Sequence, residues 1–289
     1  MHRSRFLQLD VFPASFGGGN PLGVVVNGEG LDATTMQRIA RWTNLVETTF
    51  LLPAQTAQGS YRVRMFTPHK EIPFAGHPSV GSAHAVLECG LCTPRDGLLW
   101  QECGAGTLPL RVEVEGSNRR ILVQAPPARI VEAGAAAASR IAPLLEGHVI
   151  GSLGAVLIDG GRRWWLAELA DVAALRSWRP AHERIAELAR LSDSMGLCLY
   201  AREGNGLAVR AFPAGAGIIE DPASGAANGL IAACIAQTAP TDPLACGYEV
   251  SQGREMGHDA HLSVRIDADG AIWTGGGCHT VIDGALQWP

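Results

Sequence analysis

The sequence predicts an α+β fold built from two similar halves, and three observations lead to this prediction. A pattern of strand, charged loop and small-residue helix occurs twice, about 145 residues apart, over residues 64–83 and 210–227. Strand patterns of mixed spacing surround one such helix in each half, whereas a doubly wound sheet would alternate helices regularly with parallel strands. Hydrophobic residues make up 47% of the chain and charged residues only 18%, so each half can bury a core.

The first half opens with a predicted hairpin. Residues 6–11 and 22–26 have strand character, and the glycine-rich loop 17–21 separates them. Asp32 is the expected N-cap of the helix that follows, which turns Trp42 towards the core together with other apolar residues.

The remaining elements repeat this mixed order along the chain. Strands are expected at residues 46–52, 61–66, 108–114, 120–124, 154–158, 164–169, 197–201, 207–212, 262–266, 271–274 and 278–282, and helices at 79–87, 181–190 and 223–235.

A break between the halves is expected at the prolines 126 and 127 and the alanine-rich stretch 135–138. The predicted halves are residues 1–127, joined by 277–289, and residues 128–276. Two helix N-termini that converge on a cleft between them would hold a small carboxylate.

Charge and cysteine content exclude several classes of protein. The net charge of −5 comes with no basic stripe, so nucleic acid is not an expected partner. No apolar run approaches the length of a membrane span and the start does not resemble a signal peptide, which favours a cytoplasmic protein without a membrane partner. Seven scattered cysteines suit a reducing compartment, and the pair in residues 89–92 is interpreted as the end of a helix.

No common cofactor signature occurs in the sequence. Lys70 is the only lysine, so a pyridoxal Schiff base has one candidate at most. Dinucleotide, phosphate-loop and His-Glu-x-x-His patterns are all missing. We therefore expect neither a metal nor a cofactor, and chemistry by side chains alone.

Three residues are candidates for that chemistry. Glu47 stands in an apolar strand, where desolvation would raise its pKa towards the range of a general acid or base; an edge-strand glutamate facing water is an equal alternative. His77 at one helix start and Asp221 before Pro222 at the other are each more often structural when taken alone. Their matching places in the duplicated pattern favour function.

Several spaced motifs together resemble the PhzF family of phenazine-biosynthesis-like proteins over nearly the whole chain. They are residues 10–12 with 19–21, 44–50, 64–68, 76–78, 220–225, 251–253 and 275–277. The resemblance implies a diaminopimelate-epimerase-like fold, in which each half wraps a sheet around a central helix, and a homodimer.

The resemblance also implies an isomerase acting on a small cyclic carboxylic acid such as trans-2,3-dihydro-3-hydroxyanthranilate. The residue matching Glu47 carries the proton, and those matching His77 and Asp221 orient the substrate and tune the glutamate. Substrate contacts are implied for Gly76, Pro78, Ser224, Gly225 and Ala226.

The sequence departs from its relatives in informative places. Ala226 stands where the family commonly has serine, and residues 257–259 (GHD) where many members have Gly-Arg-Pro. Amino-acid racemases of this fold use two cysteines, and this chain has Ala75 and Asp221-Pro222 at those places. An amino-acid epimerase and a non-catalytic binder of small carboxylates remain the alternatives.

Overall fold

The described chain divides into two compact units, each with its own core. The computed structural model describes residues 2–116 and 118–288. Residues up to Gln124 and from Gly275 onward belong to unit 1, and Ala125–Thr274 form unit 2.

Unit 1 is a sheet wrapped around one buried helix, with a second helix outside. Its elements are β1 (His2–Val11), β2 (Asn20–Val25), α1 (Ala33–Thr43), β3 (Glu47–Leu52), β4 (Tyr61–Phe66), β5 (Glu71–Ile72), α2 (Gly76–Glu88), β6 (Leu98–Cys103), β7 (Gly106–Glu115), β8 (Asn118–Gln124) and, at the end of the chain, β17 (Cys278–Trp288).

Strand β1 lies between two antiparallel neighbours, β2 and β17, so the end of the chain returns to the first strand. From β2 the sheet continues through β3 in parallel, β4 antiparallel and β6 in parallel, and a meander of β6, β7 and β8 completes it. Helix α2 contacts β1, β2, β3 and β8. Gly81 lies in this helix beside the buried side chains of Leu22, Val11 and Leu9, where the absence of a side chain allows close packing.

Helix α1 has the expected N-cap but not the expected core face. The side chain of Asp32 accepts a hydrogen bond from the Thr35 amide at 2.7 Å. Trp42, predicted to face the core, is instead 72% exposed, with its ring 6.5 Å from that of Trp288. Each helical residue advances about 100° around the axis, which puts Trp42 about 120° away from the buried Met36.

Unit 2 repeats the plan with more helices. Its elements are β9 (Arg129–Ala133), α3 (Gly134–Leu145), β10 (Ile150–Asp159), β11 (Arg163–Leu169), α4 (Val172–Ser177), α5 (His182–Ser192), β12 (Leu197–Glu203), β13 (Gly206–Phe212), α6 (Gly225–Thr238), β14 (Gly247–Gln252) and β15 (Ala260–Ile266), and β16 (Ile272–Gly276) leads back into unit 1.

The sheet of unit 2 runs from β9 through β10 to β11 in antiparallel pairs. It continues through β12 in parallel, β13 antiparallel, β14 in parallel and β15 antiparallel. Helix α6 contacts β9, β10, β11 and β15 and is buried along most of its length. The predicted α+β fold, with a central helix in each half, is thus confirmed.

The alanine-rich stretch 135–138 is part of a helix. It lies in α3, where Ala137 and Ile141 are fully buried in the core around Trp165 and Trp178. Alanine has the highest helix propensity, so a run of alanines next to a β-strand favours a helix. In both units, none of the described helices combines the length and apolar character needed to cross a membrane.

Gly275 provides a test of close backbone packing in unit 1. A Cβ at this position would overlap the carbonyl oxygen of Ile121, whereas a Cβ at Gly277 would meet no atom within 4 Å. We expect Gly275→Ala to lower the free energy of unfolding by about 1–3 kcal/mol and Gly277→Ala to change it by less than about 0.5 kcal/mol. Urea unfolding of the two variants checks this, and equal midpoints would contradict it.

Candidate active site

Unit 1 brings Glu47 and His77 together in a buried pair. Glu47 is the first residue of β3, all of whose residues are buried, and pairs in register with Leu22. His77 is the second residue of α2. Its Nε2 lies 3.3 Å from Oε2 of Glu47, and the two side chains are only 7% and 10% exposed. The alternative of a water-facing glutamate on an edge strand is therefore wrong.

The imidazole of His77 is neutral in the folded protein. Burial lowers its pKa to about 3, and a hydrogen bond to the Pro21 carbonyl opposes this shift only in part. Its contact with Glu47 at neutral pH is therefore not an ion pair. A neutral ring carries one donor and one acceptor. The hydrogen bond to the Pro21 carbonyl uses the donor, so Nε2 faces Glu47 as an acceptor, which suits a protonated carboxyl group.

The chain around Pro21 is held by Asp10, a residue for which the sequence predicted no such role. The carboxylate of Asp10 accepts hydrogen bonds from the amides of Gly17 and Gly19, at 2.7 and 2.8 Å. These bonds close the glycine-rich loop between β1 and β2. Asp10 thus fixes the chain just before the Pro21 carbonyl that His77 contacts.

The other predicted residues of unit 1 lie in the first turn of α2. Gly76 is its first residue and is half-buried, and Pro78 is buried. The N-cap residue, Ala75, has no side-chain acceptor, so its side chain does not cap the first backbone amides of this helix.

In unit 2 the predicted residues lie together at the start of α6. Ser224 is the N-cap, and its hydroxyl accepts from the Ala227 amide at 3.4 Å. Gly225 is the first helical residue, and Ala226 is exposed. The carboxylate of Asp221 accepts a hydrogen bond from the Ala223 amide at 3.1 Å.

Asp221 is a half-buried carboxyl group with a perturbed proton affinity. Burial raises its pKa, while hydrogen bonds from Ala223 and Ser224 act in the opposite direction. Its amide donates to the Ala211 carbonyl at 2.9 Å, which ties the segment to the end of β13.

Gln252 and Asn228 hold this turn, and the sequence assigned a role to neither. The side-chain amide of Gln252 donates to the Asp221 carbonyl at 2.7 Å, and its oxygen accepts from the Ser224 amide and from Asn228 Nδ2. Gln252 is 2% exposed and Asn228 is fully buried. The motif 251–253 in the family resemblance was the only signal for Gln252.

In each unit, an arginine and a glutamate that precede the buried helix in the sequence form an ion pair. Arg210 binds both carboxylate oxygens of Glu220 at 2.9 and 3.0 Å, with side chains only 4% and 9% exposed. The corresponding pair of unit 1, Arg64 and Glu71, has two 2.7 Å contacts but is 28% and 42% exposed. The buried pair fixes the residue next to Asp221.

Metal ligands are not grouped in either unit. Among residues 2–116 and 118–288, no three His, Cys, Asp or Glu side chains are arranged to hold a metal ion.

Comparison with known proteins places this geometry in a family. The sequence profile of the family described as "Phenazine biosynthesis-like protein" (PhzC-PhzF) matches residues 9–283. The chain belongs to the PhzC-PhzF family. Its relatives include the trans-2,3-dihydro-3-hydroxyanthranilate isomerase of Pseudomonas aeruginosa, 31% identical with 93% of this chain and 92% of that protein covered.

Two further matches cover the full length of the chain. "Antisense-enhancing sequence 1" of Schizosaccharomyces pombe is 31% identical over 98% of this chain and 99% of that protein. The crystal structure of a PhzF-family phenazine biosynthesis protein from Bacillus anthracis is 24% identical, covers 100% of both chains and has a TM-score of 0.84, which shows the shared fold. Family membership and the isomerases among its relatives identify this protein as an isomerase.

The two arginine–glutamate pairs predict different stability losses. Arg210→Met leaves Glu220 buried without its partner, and we expect the free energy of unfolding to fall by about 3–5 kcal/mol. Arg64→Met breaks a more exposed pair and should cost about 0–1 kcal/mol. Urea unfolding measures both, and a loss at Arg64 as large as that at Arg210 would refute the role given to burial.

The neutral state of His77 predicts a pH dependence of stability. An unfolded histidine takes up a proton below about pH 6.5, whereas His77 in the fold does so only near pH 3, so stability falls as pH drops through this window. His77→Asn removes this term. The stability of the wild type relative to His77→Asn should therefore decline by roughly 1 kcal/mol per pH unit between about pH 6 and pH 4. Unfolding curves at several pH values test this, and a constant difference would show that His77 takes up its proton over the same pH range in the folded and unfolded states.

Proposed function

We propose that this isomerase moves a proton within a small cyclic carboxylic acid, with trans-2,3-dihydro-3-hydroxyanthranilate as the candidate substrate. The observation that carries the proposal is the buried contact between Glu47 and the neutral imidazole of His77. The substrate is suggested by the named activity of the Pseudomonas aeruginosa relative.

The proposed chemistry uses one carboxyl group twice. The carboxylate of Glu47 accepts a proton from one ring carbon, and the resulting carboxylic acid returns it to another carbon of the same ring. Atoms and electrons balance without a co-reactant, because the product is an isomer. In the protonated state of Glu47, Nε2 of the neutral His77 ring can accept from the carboxyl group and keep it oriented.

The residues of unit 2 are proposed to bind and orient. Asp221, with its raised pKa, would contact the polar substituents of the substrate. We propose that the backbone amides of Gly76 at the start of α2 and of Gly225 and Ala226 at the start of α6 bind the substrate carboxylate, because amides at helix starts favour anions. Pro78 has no N–H group and the Ser224 amide donates to Gln252, so these two residues are proposed to contact the substrate through their side chains. Ala226 supplies no hydroxyl group, so its contact is limited to the backbone.

Replacement of Glu47 by glutamine tests the proton-transfer step. Glutamine keeps the size and the hydrogen-bonding oxygen but cannot carry the proton. We expect turnover of trans-2,3-dihydro-3-hydroxyanthranilate to fall by at least about 100-fold and deuterium incorporation from heavy water to cease. Mass spectrometry of the product and a turnover assay provide the measurements.

Glu115→Gln is the matched control, since Glu115 is an exposed glutamate of the same unit. It should retain wild-type turnover. Full activity of Glu47→Gln would end the assignment of Glu47. Inversion at the α-carbon of an amino acid by the wild type would favour an epimerase, and tight carboxylate binding with no exchange into any ligand would favour a binding protein.

A further inference from the structure

Two arginines on one face of β4 differ in their partners. Arg62 and Arg64 lie two residues apart, so their side chains leave the same face, and both are half-buried while Val63 between them is buried. Arg64 is neutralised by Glu71 through two short contacts. Arg62 has no hydrogen-bond acceptor or ion-pair partner among residues 2–116 and 118–288, although its Nε is buried.

The nearest acidic neighbour in the sheet is already occupied. Glu102 of β6 is in register with Arg62. Its carboxylate accepts hydrogen bonds from the amides of Gln55 and Thr56 and from the Thr56 hydroxyl, at 2.6–2.8 Å. Glu102 thus holds the loop after β3. The charge of Arg62 is close enough to help lower the pKa of Glu102, but Arg62 Nε makes no hydrogen bond to it and remains available to another acceptor. A buried donor without an acceptor is unfavourable, and more so when it is charged.

Arg62 lines a cavity of about 410 Å³ in unit 1. This volume lies within the range of small-molecule sites, about 300–1,000 Å³. Its wall combines the two arginines with apolar side chains, and one acidic residue, the exposed Glu29, stands among them. The apolar members are Leu31, Met36, Leu52, Pro53 and Ala54.

This cavity is separate from the Glu47–His77 pair. Leu52 and Pro53 lie at the end of β3, whereas Glu47 begins that strand. Five residues of extended chain span about 16 Å, so a small ligand in the cavity would not reach Glu47.

We propose that this cavity binds a small organic anion whose carboxylate or phosphate group meets Arg62 and whose apolar part lies against Leu31, Pro53 and Ala54. A guanidinium group offers five N–H donors in a planar fork that matches two oxygens of an oxoanion. The anion would supply the acceptors that the protein does not provide to Arg62, and the apolar wall would bury the remainder of the ligand.

Isothermal titration calorimetry with benzoate and with phenyl phosphate tests the proposal on the full-length protein. Arg62→Met keeps much of the hydrocarbon stem and removes the charge, so affinity at this site should fall by about 10–100-fold. Arg62→Lys keeps the charge without the fork and should bind several-fold more weakly than the wild type. Arg3→Gln, an exposed arginine of β1 in the same unit, is the control for charge and should leave binding unchanged.

Each result bears on the proposal. Equal affinity of the wild type and Arg62→Met, or of the wild type and Arg62→Lys should Arg62→Met not fold, would overturn it. So would equal binding of benzoate and benzyl alcohol, because the oxoanion would then contribute nothing. A stronger signal from one of the two probes identifies the anion as a carboxylate or a phosphate. Arg62 has no part in the proposed proton transfer, so isomerase activity of Arg62→Met is expected at the wild-type level whichever way the binding test ends.

Discussion

The burial of most of one small-residue helix in each unit is the constraint on which the rest of the structure depends. Helix α2 and helix α6 are each contacted by several strands of their own sheet. A helix enclosed in this way has little solvent-facing surface for charges and little room for large side chains. Glycine, alanine and serine therefore fill α2, and Gly229 of α6 lies so close to Ala125 that a Cβ would be 3.0 Å from it.

Because the sheet encloses the rest of each helix, polar functional groups can be placed at the first turns of α2 and α6. The segments that lead into those turns are fixed by buried polar groups: Asp10 for the loop before Pro21, and Gln252 and Arg210 for the turn around Asp221. Each of these groups uses several of its hydrogen-bonding atoms. These hydrogen bonds offset the cost of burying the polar group and hold the segment rigidly. Such rigidity favours proton transfer, because small displacements of a reacting group lower the reaction rate.

The sequence predicted those features that follow from local pattern. The apolar strand around Glu47, the N-cap at Asp32 and the small-residue helices all depend on neighbours along the chain. The loop role of Asp10 could not be predicted, because a buried acid in a strand and a loop-closing acid have the same local pattern. Gln252 meets Asp221 across 31 residues. The prediction that Trp42 faces the core was wrong because it considered only that tryptophan is apolar. The position of a residue around the axis of α1 decides whether it is buried.

Neutrality of His77 restricts how protons can move in unit 1. With a pKa of about 3, the ring is not a charged acid at neutral pH. Burial also raises the pKa of the Cys89, Cys92, Cys103 and Cys278 thiols, so none of them is a ready thiolate base. In unit 1, neither His77 nor these thiols would therefore exchange protons readily near neutral pH. The two units differ in the group next to the buried helix. In unit 1 it is the neutral His77 at the start of α2, and in unit 2 it is Asp221, a carboxyl group of raised pKa, just before α6.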